Sequence, residues 1–161
     1  MKMKLLMLGI ASLGLFGTAC NKESCSDSNA DNFDSKAARS SNCIYRYVTS
    51  IQVSGVPSMR ESGVSWDPEG NLPDLKMVFF KNESGHVDVV TNVLTDATGG
   101  TLTPPETMFT NGDWQYELVD DDIGSSEMIA TGNFNPMKDG SNGTIKITNG
   151  SISISFNYVI K

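Results

Sequence analysis

Regular alternation of apolar and polar residues restricts the fold that the last two thirds of this chain can adopt. The final run, residues 151–160, puts Ile152, Ile154, Phe156 and Tyr158 on one face and mainly polar residues on the other. Side chains of an extended strand point alternately to opposite sides, so this pattern predicts a strand with one buried face. No helical period competes with it after residue 44.

Similar runs recur along the chain, with turn residues between them. They predict strands over residues 45–53, 75–80, 87–94, 108–110, 114–119, 128–134 and 144–148. In the first strand the following residues are predicted to share one face: Tyr45, Tyr47, Thr49, Ile51 and Val53. Asn149-Gly150 predicts a tight hairpin before the last strand, because both residues tolerate positive φ. Seven or eight short strands predict an all-β fold, an antiparallel β-sandwich over residues 46–161.

The amino terminus has the three sections of a secretory signal. Lys2 and Lys4 precede the almost wholly apolar run 5–16, and small residues follow up to Cys20. The apolar run of about 12 residues is too short for a membrane-spanning helix, which needs roughly 20. We therefore predict a signal peptide over residues 1–19.

The end of this segment resembles a bacterial lipobox, in which small residues precede a cysteine that receives diacylglycerol. Thr18, Ala19 and Cys20 fit that pattern, whereas Gly17 stands where an aliphatic residue is usual. The resemblance implies cleavage before Cys20 and lipid on its sulfur, with residues 20–24 as a lipidated tether. The alternative is an ordinary signal peptide followed by an incidental cysteine.

The residues after Cys20 bear on the location of the protein. Asn21, Lys22 and Glu23 resemble a short signal, a lysine plus an acidic residue, that sends some lipoproteins of one Gram-negative lineage to the cell surface. The resemblance implies a lipid-anchored protein of the bacterial outer membrane, displayed on the cell surface. The alternative location is the inner face of the same membrane.

With Cys20 assigned to lipid, Cys25 and Cys43 remain as an even pair in an oxidising compartment, for which a disulfide is the default. Closing a loop of about 18 residues would stabilise the folded chain by roughly 3 kcal/mol. Residues 25–45 also resemble a short cysteine-bounded repeat of secreted and surface bacterial proteins, with Ala30, Asn32 and Phe33 in matching places. We predict a structural staple over residues 25–45.

The charge of the chain excludes one class of partner. The full sequence has a net charge of −7, and removal of residues 1–19 takes away two lysines and leaves a charge near −9. Such a surface repels phosphate backbones, so nucleic acid is not an expected partner. Acid-rich loops could instead collect a cation, although the charge could equally serve solubility alone.

Two acidic segments are predicted at strand ends, residues 66–74 and 118–129. Loops at one end of a sandwich can converge even when they are far apart in sequence. Calcium takes six to eight hard oxygen ligands, and a cation would relieve the repulsion among successive aspartates. The residues alone are equally compatible with two solvated turns.

Both segments resemble the calcium-binding loops of a C2 domain, a β-sandwich that binds phospholipid in a calcium-dependent manner. Asp67-Pro68 followed seven residues later by Asp74 resembles one loop of that family, and the segment from Asp120 to Ile129 resembles another. The resemblance implies calcium as cofactor and these ligands: Asp67, Asp74, Asp120, Asp122 and Glu127. Asp121 is expected to point to solvent. Phospholipid docking is not carried over, because neither loop has a cation near its tip.

Sequence signals for catalysis are weak. The single histidine, His86, follows Gly85 at a predicted strand start, and there is no Gly-x-Ser-x-Gly motif or Gly-rich phosphate loop. We therefore expect a protein that is not an enzyme. Three functions remain: a surface binding or adhesion module for an extracellular or envelope protein or glycan, a metal-free structural or complex-accessory lipoprotein, and, more distantly, a carboxylate-dependent hydrolase.

Overall fold

The computed structural model describes residues 25–37, 42–67, 71–81 and 88–161. The predicted signal peptide, Cys20 with its tether and His86 lie outside these residues. Within the described ranges, no helix is both long and apolar enough to cross a bilayer.

The described chain forms two antiparallel sheets and one short helix. The strands are β1 (Arg46–Ser54), β2 (Leu75–Lys81), β3 (Val89–Val90), β4 (Gly100–Leu102), β5 (Thr107–Phe109), β6 (Trp114–Asp122), β7 (Ser125–Phe134), β8 (Gly140–Ser141), β9 (Thr144–Asn149) and β10 (Ile152–Ile160). The helix α1 (Pro136–Asp139) begins after Asn135, whose side chain accepts hydrogen bonds from the N–H groups of Met137 and Lys138.

The first sheet has the strand order β4-β1-β10-β9-β8, and β5 also pairs with β1. The second sheet has the order β3-β2-β6-β7. The predicted antiparallel β-sandwich is therefore confirmed. Two strands of only two or three residues, β4 and β8, were not predicted. The strand predicted over residues 87–94 is reduced to the two-residue β3 in the described part of the chain.

A β-bulge changes the predicted face of β1. The pairing with β10 shifts between Val48 and Ser50, so that one extra residue, Thr49, is inserted. Val48 is consequently buried together with Ile51 and Val53, whereas Tyr47 is only half-buried. The predicted face was correct after the bulge and wrong before it, because one inserted residue reverses the alternation.

The hairpin predicted before the last strand is present, with a turn one residue later than expected. Asn149 pairs with Ile152, which leaves Gly150 and Ser151 at the turn. Only Gly150 takes a positive φ, of 61°. Asn149 stays in β9, and its side-chain amide donates to the Thr131 carbonyl oxygen at 3.0 Å.

Five aromatic rings join the two sheets. Phe109 and Phe156 come from the first sheet, and Phe79, Trp114 and Phe134 come from the second. The Phe134 and Phe156 rings stack with centroids 4.7 Å apart, and the Phe109 and Trp114 rings meet edge to face at 5.3 Å. Such pairs stabilise a fold by about 0.5–1.5 kcal/mol each beyond the burial of their surface.

The predicted disulfide between Cys25 and Cys43 is present, and several described residues within its loop are bonded to one end of the sandwich. Asp31 accepts a hydrogen bond from Nε of Arg46 at 2.5 Å, and Asp27 accepts one from the Tyr45 hydroxyl at 2.9 Å. The Asn29 side chain accepts from the N–H of Asn111 at 3.1 Å. We call residues 25–37 and 42–45 the staple.

We predict that Phe156→Ala lowers the free energy of unfolding by about 3–5 kcal/mol, because it leaves a cavity among the rings that join the sheets. Denaturant unfolding followed by tryptophan fluorescence measures the change, since Trp114 belongs to the same cluster. Val159→Ala, at a 46% exposed position of the same strand, is the matched control and should change stability by less than about 0.5 kcal/mol. Equal losses in the two variants would contradict the assignment of the core.

Candidate metal site

Five aspartates converge at one end of the sandwich. Carboxylate oxygens of Asp67, Asp120 and Asp122 lie within 4.8 Å of one another, and so do those of Asp67, Asp74 and Asp96. Asp67 belongs to both groups and joins them. The structure thus brings together four of the five ligands implied by the sequence, and it adds Asp96.

The alternation of β6 directs two of these carboxylates inward. Trp114, Tyr116 and Leu118 are buried on the inner face of the strand, and Asp120 and Asp122 continue that face at its end. The segment predicted as a loop is therefore a β-hairpin, in which Asp120 pairs with Glu127 and Asp122 with Ser125.

Asp120 is the most buried member of the site, with an exposed fraction of 0%. Its Oδ1 accepts a hydrogen bond from the N–H of Asp74 at 2.7 Å. Its Oδ2 is fully buried and has no hydrogen-bond partner among the residues that the structure describes. Burial raises the pKa of Asp120, and the nearby carboxylates of Asp122 and Asp74 raise it further.

Backbone contacts fix Asp74 and Asp96 beside this strand. The Asp74 side chain accepts a hydrogen bond from the N–H of Asp96 at 2.9 Å, and the Asp74 carbonyl oxygen accepts one from the N–H of Asp121 at 2.8 Å. Asp96 has a φ of 50°, a conformation that aspartate adopts more readily than most residues. The turn at Asp96 is therefore fastened to the beginning of β2.

Asp67 carries the clearest electrostatic sign of crowding. A side-chain hydrogen bond with Asp122 raises its pKa to about 6, with further contributions from burial and from the charges of Asp120, Asp122 and Asp74. Two carboxylates can form such a bond only when one of them holds a proton. At neutral pH the cluster therefore has strong electrostatic repulsion that a cation would relieve.

Arg60 lies at the edge of the site and is already paired there. Its Nη2 atom lies 2.5 Å from the Glu127 carboxylate and donates to the Trp66 carbonyl oxygen at 2.6 Å. The guanidinium also lies over the Trp66 ring, 5.5 Å from its centroid. The positive charge of Arg60 lowers the pKa of Asp120, but burial and the neighbouring carboxylates leave that pKa raised. Arg60 therefore holds the segment that carries Asp67 without neutralising the cluster.

Two neighbouring acids lie apart from the cluster. Glu127, implied as a ligand by the sequence, is ion-paired with Arg60 and belongs to neither group of converging carboxylates. Asp121 points to the opposite face of β6, as the alternation requires, but it does not point freely to solvent. Its carboxylate is ion-paired with Lys76 and accepts a hydrogen bond from the Ser126 hydroxyl at 3.2 Å.

The donor set fits calcium. Oxygens bonded to one ion at about 2.4 Å can lie at most about 4.8 Å apart, and both groups meet that limit. All five side chains supply hard carboxylate oxygens, the ligands that calcium prefers over nitrogen and sulfur. A cavity of about 230 Å³ opens beside them, with Asp67, Asp122, Arg60 and Trp66 among its lining residues.

The described part of the chain is thus an antiparallel β-sandwich with an acidic cluster at one end. No protein-family model matches the sequence, and no curated protein matches it. Similarity appears in three-dimensional structure alone.

Two solved structures of human GIVD cytosolic phospholipase A2 share the fold. One, in complex with methyl gamma-linolenyl fluorophosphonate, matches with a TM-score of 0.54 and 10% identity. The other contains the inhibitor and terbium chloride and matches with a TM-score of 0.55 and 9% identity. Each match covers 73% of this chain but only 17% of the phospholipase chain. A structure described as that of a C2 domain matches 73% of this chain and 97% of its own, with a TM-score of 0.47 and 14% identity.

We predict that the protein free of divalent ions becomes less stable as the pH rises from about 4 to about 6. The folded state keeps a proton on Asp67 up to a pKa of about 6, whereas the unfolded chain releases it near pH 4. The folded state binds more protons in this interval, so its stability falls as the pH rises.

Thermal melting across this pH interval measures the effect: the change in melting temperature of the wild type is compared with that of Asp67→Asn. The variant has no proton to lose at this position, so its melting temperature should decline less. Identical pH profiles would show that the proton is not held at Asp67.

Proposed function

We propose that this chain is a calcium-binding β-sandwich module, anchored by lipid on Cys20 to the bacterial outer membrane and displayed on the cell surface. It binds a protein or a glycan outside the membrane and does not catalyse a reaction. The observation that carries the calcium assignment is the buried Oδ2 of Asp120, which has no hydrogen-bond partner in the described part of the chain and belongs to a side chain beside Asp67 and Asp122.

The burial of Asp120 distinguishes a metal site from an acidic turn. A carboxylate oxygen withdrawn from water without a compensating partner is unfavourable, and folded proteins pair it, protonate it or bind it to a metal. Solvated turns leave their carboxylates exposed, which satisfies them with water. Asp120 is instead 0% exposed, so the solvated-turn interpretation does not account for it.

One structural neighbour and one sequence resemblance support this assignment. One of the phospholipase structures was solved with terbium chloride, and lanthanide ions prefer the same hard oxygen ligands as calcium. The resemblance of residues 67–74 and 120–129 to C2 loops points in the same direction. Both arguments concern the metal, and neither identifies the macromolecular partner.

The electrostatics favour a binding protein over an enzyme. Acid–base catalysis with carboxylates requires one group that carries a proton and another that does not. A bound dication would lower the pKa of Asp67 and Asp120 together, so both would be ionised ligands at neutral pH. The site would then hold a cation firmly and lack a carboxyl group ready to donate a proton.

We predict that calcium raises the melting temperature and that Asp122→Asn removes most of this increase. At 100 times its dissociation constant, one bound ion should stabilise the fold by about 2.7 kcal/mol. Asp121→Asn is the matched control, because it removes the same formal charge one position away on the opposite face of β6, and it should keep the calcium response. Terbium luminescence excited through Trp66, the neighbour of Asp67, reports occupancy independently. If millimolar calcium neither raises the melting temperature nor lowers the terbium luminescence by competing for the site, the metal assignment is wrong.

We predict that the native amino terminus begins at Cys20 and that this residue carries acyl chains. Two or three chains bury enough CH₂ groups, at about 0.8 kcal/mol each, for stable attachment to a membrane. Mass spectrometry of the protein purified from membranes should show the added lipid mass, and Cys20→Ser should release the protein into the soluble fraction. An unmodified Cys20 in the native protein would disprove the anchor.

A further inference from the structure

The staple and the acidic cluster lie at opposite ends of the sandwich. β1 begins at Arg46, which contacts the staple, and pairs there with Ile160 of β10. Its other end, Ser54, pairs with Ser153. The staple therefore marks one end of the first sheet, which we call the staple pole.

The strands of the second sheet run between the same two ends of the sandwich. The turn at Asn111, which contacts the staple, leads into Trp114 at the beginning of β6, and Asp122 is at the end of that strand. Glu127, opposite Asp120 in the hairpin, lines a cavity together with Gly150 and Ile152, at the end of the first sheet away from the staple. We call the end that carries Asp67, Asp74, Asp96, Asp120 and Asp122 the acidic pole.

Strand length gives the separation of the poles. β6 advances by eight residue steps from Trp114 to Asp122, and at about 3.3 Å for each step it spans about 26 Å. The tether, by contrast, has five steps from Cys20 to Cys25. A chain of that length reaches at most about 17 Å even when it is fully extended.

The staple cannot swing freely on the domain to make up the difference. Tyr45 and Lys161 exchange two backbone hydrogen bonds, of 2.8 and 3.0 Å. The disulfide, the Asp31–Arg46 ion pair and the Asn29–Asn111 hydrogen bond hold the rest of the staple. Cys25 is itself 0% exposed. The point from which the tether departs is therefore fixed at the staple pole.

We propose that the acidic pole acts in trans: it faces away from the bilayer that holds Cys20, and any ligand that it binds through calcium is carried by another surface. This rests on the proposed lipid anchor and calcium site. For the acidic pole to contact the bilayer that holds Cys20, the tether would have to span about 26 Å. This distance exceeds the covalent reach of residues 20–25. The expected ligand presents anionic oxygens that complete the coordination of the ion.

Resonance energy transfer from a dye on the domain to acceptor dyes in the bilayer that holds Cys20 tests this orientation. In the proposed lipoprotein, Cys20 carries lipid on its sulfur and Cys25 forms a disulfide with Cys43, so a cysteine introduced by Ile123→Cys or Asp113→Cys is the site for a donor dye. Ile123 is fully exposed at the tip of the β6–β7 hairpin, at the acidic pole, and Asp113 is exposed at the staple pole. Each labelled protein is placed on phosphatidylcholine vesicles with acceptor dye in the outer headgroups.

We expect several-fold stronger transfer from position 113 than from position 123, both with calcium and after its chelation. Equal transfer from the two positions would mean that the domain lies on its side, and stronger transfer from position 123 would mean that the acidic pole docks on its own membrane. Either result overturns the proposal, as does failure of the native protein to float with vesicles. A calcium melting shift measured on the same preparation reports separately on the metal site.

Discussion

The register between β2 and β6 is the constraint on which the rest of this structure depends. Their inner faces carry Leu75 and Phe79 on one strand and Tyr116 and Leu118 on the other, all buried in the core between the two sheets. A slip of one residue would turn every one of these side chains to the wrong face. The same register pairs Leu75 with Asp120, so the packing of the core also determines where the carboxylates meet.

The acidic cluster is thus maintained by forces that act elsewhere in the molecule. Repulsion among the aspartates and the unsatisfied oxygen of Asp120 oppose the local fold. The aromatic rings that join the sheets and the hydrogen bonds of the hairpin stabilise it. A binding site commonly contains interactions that are unfavourable until its ligand is present, because the same groups must be unsatisfied in order to bind. The aspartates of this sandwich fit that description.

The two ends of the sandwich have different physical characters, and the difference bears on function. The staple pole is closed by a disulfide and by neutralised pairs such as Arg46 with Asp31. At the acidic pole, charges of one sign accumulate, and Arg60 at its edge is ion-paired with Glu127. A chain anchored at Cys20 would present its charged end outward, which suits a module that meets its partner beyond the membrane surface.

The sequence by itself determined the fold class and the hairpin at Gly150, because alternation along a strand is a local property that each run of residues carries within itself. The resemblance to C2 loops also indicated Asp67 and Asp74. Three features were decided only by tertiary structure. The bulge at Thr49 depends on the partner strand, and the removal of Glu127 from the cluster depends on Arg60, 67 positions away in the sequence. Asp96 enters the site because its turn is fastened to Asp74, and a single aspartate in a polar turn has no sequence pattern that reveals this contact. Each of these depends on residues that only folding brings together, which is why no local pattern could contain it.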